Sequence, residues 1–229
     1  GLANVVMSKT ASIITVALNS TAASFPENKT RVVGNPVRKS LFIDESGARK
    51  KLGIGQDELV ILFVGGGTGA LQINRLVEKT LPDLTRVATV LHITGKEKFE
   101  NAEKLKKEYN RYRPYEFMID LMPSALAVAD LIISRAGFST LTEIAALSKP
   151  SILIPIKGSH QEDNAKYFCE RGAAVCAKEG DLVRSKFVEL VLGLLKNKIE
   201  IARIGKKAGG LLPSGAAEKI AQAIKELCV

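Results

Sequence analysis

The sequence has no hydrophobic run of the ~18 to 20 residues that a membrane-spanning helix needs, and its first residues lack the layout of a signal peptide. Aromatic residues make up 5% of the chain and tryptophan is absent, which argues against a base-stacking surface. The two histidines, His92 and His160, and the three cysteines, Cys169, Cys176 and Cys228, lack metal-ligand spacing. We therefore expect a soluble, cytoplasmic protein without a metal or cofactor, whose cysteines are packing residues in a reducing compartment.

The chain is nevertheless long and apolar enough to bury a sizeable core, with 229 residues and 46% hydrophobic composition. Its formal net charge of +9 favours an anionic partner, which could be nucleic acid, an anionic membrane face or a phosphorylated small molecule. The sequence carries no nucleic-acid-binding signature, and its basic residues are spread over predicted helix faces. Nucleic acid is therefore the least favoured of the three.

From residue 59 onward, predicted strands and helices alternate. This order predicts an α/β fold with a doubly wound parallel sheet in the strand order 3-2-1-4-5-6. Ligands of such sheets bind where the order reverses, here between the first and fourth strands. The predicted strands are 59–64, 88–93, a short one around 117, 131–134, 151–155 and 174–177; the helices are 70–81, 99–109, 123–129, 140–147, 164–171, 182–195 and an amphipathic one at 215–228.

The first forty residues do not belong to this alternation. The segments "SIITVAL" (12–18) and "TRVVGNPV" (30–37) are typical of two short strands, and "FPENK" (25–29) of a turn between them. We interpret this region as the last part of a preceding domain, followed by a linker.

The stretch "VGGGTGALQINRL" (64–76) joins the first predicted strand to a helix through four glycines and one threonine. Glycines in such a turn let a ligand approach the backbone, and the amides of the following helix favour a phosphate. A tight connection without a ligand is the alternative. A dinucleotide site needs an acid near the end of the second strand, where Thr94 and Gly95 stand, and a P-loop needs a Gly-Lys-Ser/Thr that is absent.

The loop after the fourth strand, "SRAGFSTLTE" (134–143), has two possible interpretations. Thr140 and Glu143 have the spacing of a capping box, which would give both a purely structural role. Alternatively, Glu143 accepts hydrogen bonds from the vicinal hydroxyls of a ribose, while Ser139 and Thr140 hold a phosphate at the helix start.

The loop after the fifth strand places His160, Gln161 and Asn164 at another helix start. Imidazole and amide groups both donate and accept hydrogen bonds, so this set suits a hydroxyl-rich group. A nucleoside, a diphosphate and a polyol together describe a nucleotide sugar.

At this point the residues resemble a known family. The segments "GNPVR" (34–38), "GGGTGALQIN" (65–74), "IDLM" (119–122), "ADLIISRAGFSTLTEIAALSKPSILIPI" (129–156) and "HQEDNA" (160–165) are similar, in the same order, to the donor-binding part of the MurG family of glycosyltransferases. The resemblance implies a GT-B type architecture with a Rossmann-like donor-binding domain. It also implies metal-free, inverting transfer of N-acetylglucosamine from UDP-N-acetylglucosamine to lipid-linked muramyl-pentapeptide, the lipid I to lipid II step of peptidoglycan synthesis.

Site residues follow from the same resemblance. Each carried-over position belongs to one of the segments quoted above, and none is assigned as the catalytic base, which is expected in an acceptor domain that this sequence does not match. The resemblance places Arg38 and the backbone of Ile119 at the uracil, Gly66, Gly67, Thr68 and the helix start at Phe138, Ser139 and Thr140 on the diphosphate, Glu143 on the ribose, and His160, Gln161 and Asn164 on the sugar.

The sequence departs from the family at Gly67 and Thr68, where the family usually has a serine, and at Met118, commonly aromatic in the family. We expect residues 1–40 to be the remnant of the acceptor domain and the linker, 41–210 the UDP-sugar domain and 211–229 a final helix. Such a chain would show little transfer alone, and the full enzyme would sit peripherally on the cytoplasmic face of the bacterial membrane.

Two related readings stay open at this stage. One is a UDP-sugar-binding subunit of a split enzyme whose acceptor domain is on a membrane partner. The other is a UDP-N-acetylglucosamine 2-epimerase, which needs carboxylates around the sugar, where only Glu162 and Asp163 are available.

Overall fold

The computed structural model describes residues 2–65, 71–178 and 182–228. Six parallel strands form the main sheet in the order β5-β4-β3-β6-β7-β8, and two further strands pair separately. Counted from β3, this is the predicted order 3-2-1-4-5-6, so the predicted topology is confirmed. The strands are β1 (Ile14–Val16), β2 (Thr30–Val32), β3 (Val60–Val64), β4 (Thr89–Ile93), β5 (Tyr112–Tyr115), β6 (Leu131–Ser134), β7 (Ser151–Leu153) and β8 (Val175–Cys176).

Helices flank this sheet on both faces. The helices are α1 (Leu2–Ser8), α2 (Asn19–Ala22), α3 (Glu45–Leu52), α4 (Leu71–Leu84), α5 (Ala102–Glu108), α6 (Met122–Val128), α7 (Phe138–Ala146), α8 (Gln161–Cys169), α9 (Arg184–Lys196), α10 (Lys198–Gly209) and α11 (Ala216–Lys225). None of those described is long and apolar enough to cross a membrane.

Strand β3 shows why both faces must be covered. All five of its residues are buried, as expected of a central parallel strand. Ile61 and Phe63 face a cluster that includes α4 and α9, whereas Val60, Leu62 and Val64 face a second cluster built with α3 and α6. Alternate residues of the strand therefore anchor two separate helical layers.

One predicted strand is displaced in the structure, and helix α3 was not predicted. The strand predicted around residue 117 lies at Tyr112–Tyr115, because Tyr112 is buried against β4 while Phe117 remains 50% exposed. Helix α3 was not among the predicted elements; the Asp44 carboxylate caps it by accepting from the Gly47 amide at 2.7 Å.

The first segment contains the two predicted short strands, which pair in parallel as β1 and β2. The chain then crosses to the main sheet through Gly34, whose φ is +92°. The Gly34 α-carbon lies close to the Pro213 carbonyl, since an added Cβ would lie 2.5 Å from the Pro213 oxygen. Arg31 also pairs with Glu226 at 2.6 Å. The segment after α10, together with the residue following α11, thus packs on the first segment.

The cysteines correct one prediction. Cys169, the last residue of α8, and Cys176 in β8 form a disulfide with a Cα–Cα distance of 6.0 Å, and Cys228 is exposed and free. None of the three is thus a simple packing residue, because the turn between α8 and β8 brings two of them together. The cysteine pattern therefore gives no support to the expected reducing compartment.

Candidate functional site

The candidate site lies where the strand order reverses. Val64 and Ser134 are the last residues of β3 and β6 and are partners in register, so these two strands end side by side at the same edge of the sheet. The glycine turn predicted to bind phosphate begins here. Its predicted contacts at Gly66, Gly67 and Thr68 lie outside the described residues.

The loop after β6 leads directly into helix α7. The N-cap of α7 is Gly137, which has an extended conformation and makes no side-chain capping bond. The Leu141 amide donates the first helical hydrogen bond to the Gly137 carbonyl at 3.0 Å. The helix therefore begins at Phe138, and Ser139 and Thr140 are inside its first turn. The capping-box interpretation of Thr140 and Glu143 is wrong, because a capping threonine would have to stand just before the helix.

This helix start has the properties of an anion site. The amides of its first turn have no partner within the helix, and the aligned peptide dipoles give this end a partial positive charge. The side chains of Phe138 and Thr140 are half-buried, and Ser139 is exposed. A phosphate at this position would meet amides and a hydroxyl together.

Glu143, one turn further along α7, meets Arg38 from the linker. The Arg38 Nη2 donates to Glu143 Oε1 at 3.3 Å, although 105 residues separate the two in the sequence. A second linker residue, Asn35, donates from Nδ2 to the Thr142 hydroxyl at 3.0 Å. The linker is thereby fixed along α7, and the residues assigned to the uracil and the ribose lie side by side.

Arg38 also borders a hollow of about 370 Å³ that contains Ile119. Ile119 is 76% exposed there, and its predicted backbone contact with the uracil stays a prediction. Met118, beside it in the chain, is buried in the core cluster with α3 and α6. The structure therefore has a hollow beside the Arg38–Glu143 pair, with Arg38 and Ile119 among its lining residues.

Two of the three residues assigned to the sugar border a second, larger hollow of about 890 Å³. His160, Asn164 and Phe138 line it together with residues of the first segment. The Asn164 Nδ2 donates to the Ala136 carbonyl at 3.0 Å, so this side chain also fixes the loop that precedes α7. Gln161 Oε1 accepts from the Ile156 amide at 3.3 Å. Both amide side chains thus hold neighbouring loops in place, and Asn164 also lines the hollow.

Arg135 was not among the predicted site residues. It follows β6 directly, is 7% exposed, and contacts the segments that follow β3 and β7. An arginine immediately after a fully buried strand at the point of strand reversal is the sequence signal that could have identified it. Among the described residues, no group of three or more His, Cys, Asp or Glu side chains could hold a metal ion.

A family model described as "Glycosyltransferase family 28 C-terminal domain" matches residues 60–227. Two relatives are named UDP-N-acetylglucosamine--N-acetylmuramyl-(pentapeptide) pyrophosphoryl-undecaprenol N-acetylglucosamine transferase. The one from Exiguobacterium sp. is 34% identical over 216 residues and the one from Carboxydothermus hydrogenoformans 34% over 229 residues, and each match covers 91% of this chain and 60% of the relative.

Among solved structures, the chain is similar to the MurG of Acinetobacter baumannii, with a TM-score of 0.74 and 25% sequence identity. That match covers 99% of this chain and 63% of the other. The chain therefore spans about 60% of the length of the curated relatives it matches.

Proposed function

Because the chain belongs to the family of the glycosyltransferase family 28 C-terminal domain, we propose that it is the donor-binding half of an inverting N-acetylglucosaminyltransferase. Its donor would be UDP-N-acetylglucosamine and its acceptor the lipid-linked muramyl-pentapeptide of peptidoglycan synthesis. The relatives are named for this transfer, and the fold matches the GT-B architecture of the MurG structure.

One observation carries the proposal: the Arg38–Glu143 pair lies one turn from the open start of α7, at the point of strand reversal. A carboxylate accepts two hydrogen bonds, which suits the two vicinal hydroxyls of a ribose. A guanidinium donates in the plane of a base edge. The spacing of one helical turn, about 5.4 Å, supports the proposal because one nucleoside diphosphate is long enough to contact both groups.

The same geometry supplies chemistry to the transfer. As the sugar leaves, negative charge develops on the diphosphate, and preorganised amides that point at that charge lower the barrier. The first turn of α7, at Ser139 and Thr140, provides such amides. We assign sugar recognition to His160, Gln161 and Asn164: His160 and Asn164 line the hollow beside this helix, and Gln161 follows His160 at the start of α8.

We also propose the domain assignment: residues 1–40 belong to an acceptor domain and linker, 41–210 to the donor domain, and 211–229 to a helix that spans both. The pairing of Arg31 with Glu226 supports this role of the final helix. The acceptor domain would supply the catalytic base, so this chain alone would bind the donor and transfer little.

We place the full enzyme peripherally on the cytoplasmic face of the membrane, where its lipid-linked acceptor would be found. In the curated relatives the matched segment is part of one longer chain, which does not favour the split-enzyme reading. The epimerase reading is weakened because Glu162 Oε2 accepts from the Gly158 amide at 2.9 Å and so serves its own loop.

Calorimetric titration with UDP-N-acetylglucosamine, UDP, UDP-glucose and NAD tests the proposal. We expect saturable binding of the uridine nucleotides and none of NAD. Glu143→Ala should weaken UDP binding about 30-fold, because it removes charge-assisted hydrogen bonds worth roughly 2 kcal/mol. Glu200→Ala is the matched control, since it removes a carboxylate paired with Arg203 on α10, at 2.6 Å, and should leave binding unchanged. Failure of every uridine nucleotide to bind would contradict the proposal.

A further inference from the structure

Arg135 lies at the point of strand reversal, the crevice where the ligand is proposed to bind. It directly follows β6, its side chain is 7% exposed, and its backbone amide donates to the Val64 carbonyl at the end of β3. Two residues later, Gly137 caps the start of α7. The side chain therefore originates at the carboxyl edge of the sheet, where β3 and β6 end side by side.

The guanidinium contacts the two neighbouring segments. Its Nη2 donates to the Gln72 Oε1 in the first turn of α4 at 2.8 Å, and its Nη1 donates to the Ile154 carbonyl, just after β7, at 2.9 Å. Nη1 also lies 3.5 Å from the Pro155 carbonyl. One side chain thus connects the segments that follow the first, fourth and fifth strands of the predicted order.

These contacts fix a permanent positive charge at the carboxyl edge of the sheet. A guanidinium is not deprotonated in proteins, and a buried charge is screened by salt much less than an exposed one. The open start of α7 adds a partial positive charge at the same edge. The guanidinium and the start of α7 both attract the negative charge of a ligand, and neither distinguishes its base or its sugar.

We propose that Arg135 determines specificity for the charge of the ligand: it makes the crevice prefer a nucleoside diphosphate to the uncharged nucleoside. This inference rests on the proposed function of the same site. The cation acts from beneath the ligand through its field, held in place by Gln72 and the Ile154 carbonyl. Its removal should therefore affect ligands in proportion to their phosphate charge.

The test measures the affinities of uridine, UMP and UDP for the wild-type chain and for Arg135→Lys and Arg135→Gln, by calorimetry or by ligand-observed NMR where binding is weak. Arg135→Gln should weaken UDP binding at least about tenfold while uridine changes by less than about twofold. Arg135→Lys keeps the charge and should recover most of the UDP affinity, with urea denaturation reporting whether each variant is folded.

Arg49 provides a matched control. It is also a buried arginine, 5% exposed, and its Nη1 donates to the Gly55 and Glu58 carbonyls, each at 2.9 Å. Those carbonyls precede β3, at the opposite edge of the sheet. Arg49→Lys should lower stability and leave the ratio of UDP to uridine affinity unchanged.

The outcomes separate the two proposals. If wild-type chain binds no uridine nucleotide, the proposed function fails and the role of Arg135 fails with it. If the wild type binds UDP but Arg135→Gln weakens uridine and UDP equally, the proposed function stands and the inference is overturned. The inference is also overturned if Arg135→Lys remains folded and its affinity for UDP is as low as that of Arg135→Gln.

Discussion

Acid should destabilise this protein through one buried imidazole. His92, in β4, is fully buried; its Nδ1 lies 2.9 Å from the Tyr112 hydroxyl and its Nε2 3.0 Å from Asn74 Oδ1. Because Asn74 Nδ2 donates to the Thr94 and Lys98 carbonyls, Asn74 Oδ1 can only accept. His92 is therefore the neutral tautomer with its proton on Nε2, and its Nδ1 accepts from Tyr112.

The magnitude follows from burial. Desolvation lowers the pKa of His92 from 6.5 to about 3. Since the folded-state pKa lies below that of the unfolded chain, the unfolded chain binds more protons as the pH falls below 6.5. Stability contributed by the neutral imidazole is thus complete above pH 6.5 and is lost towards pH 3, at up to about 1.4 kcal/mol per pH unit. Between pH 6.5 and 4.5 the loss is about 2 to 3 kcal/mol.

Urea denaturation followed by far-ultraviolet circular dichroism, at pH 6.5 and 4.5, measures this loss. The reference variant is His92→Gln, whose amide can accept from Tyr112 and donate to Asn74 but does not titrate. The wild type should lose about 2 to 3 kcal/mol more than this variant over the interval. His160→Gln, which removes the exposed histidine, should behave like the wild type. Equal losses in wild type and His92→Gln would refute the reasoning.

Two further predictions concern the linker and the disulfide. Gly34→Ala should lower the free energy of unfolding by about 2 kcal/mol or more, since Gly34 has φ +92° and an added Cβ would lie 2.5 Å from a carbonyl oxygen. Gly193→Ala is the control, because an added Cβ there has nothing within 4 Å and should not destabilise the protein. Equal effects of the two substitutions on the free energy of unfolding would contradict this prediction. Reduction of the Cys169–Cys176 disulfide, with a sequence separation of 7, should cost roughly 2 kcal/mol by loop entropy in urea denaturation. Three free thiols in the native, unreduced chain would contradict it.

The sheet topology was predictable because few arrangements satisfy a long alternation of strands and helices. Parallel strands need right-handed crossovers, which leaves a small set of strand orders. Strand β6 was predicted at its observed bounds, 131–134, since its four apolar or small residues are all buried. The edge strand β5 was misplaced because it includes Pro114 and its residues are mostly half-buried, so its periodicity is weak.

The site was predictable in part, and for different reasons. The segment "FSTLTE" carries a capping-box pattern, yet the actual cap is Gly137, which leaves no side-chain signal. The pairing of Arg38 with Glu143 joins positions 105 residues apart, so only family resemblance could bring them together in advance. Arg135 was not predicted as a site residue because its proposed role depends on three segments that meet only in the folded sheet.

The crystal structure of this chain with UDP-N-acetylglucosamine bound is the most direct test of the account. We predict a diphosphate within about 3 Å of the first-turn amides of α7 at Ser139 and Thr140, with Glu143 turned from Arg38 to the ribose hydroxyls. The sugar should lie towards His160 and Asn164. A nucleotide bound away from the point of strand reversal, or one whose ribose does not contact Glu143, would contradict the central claim.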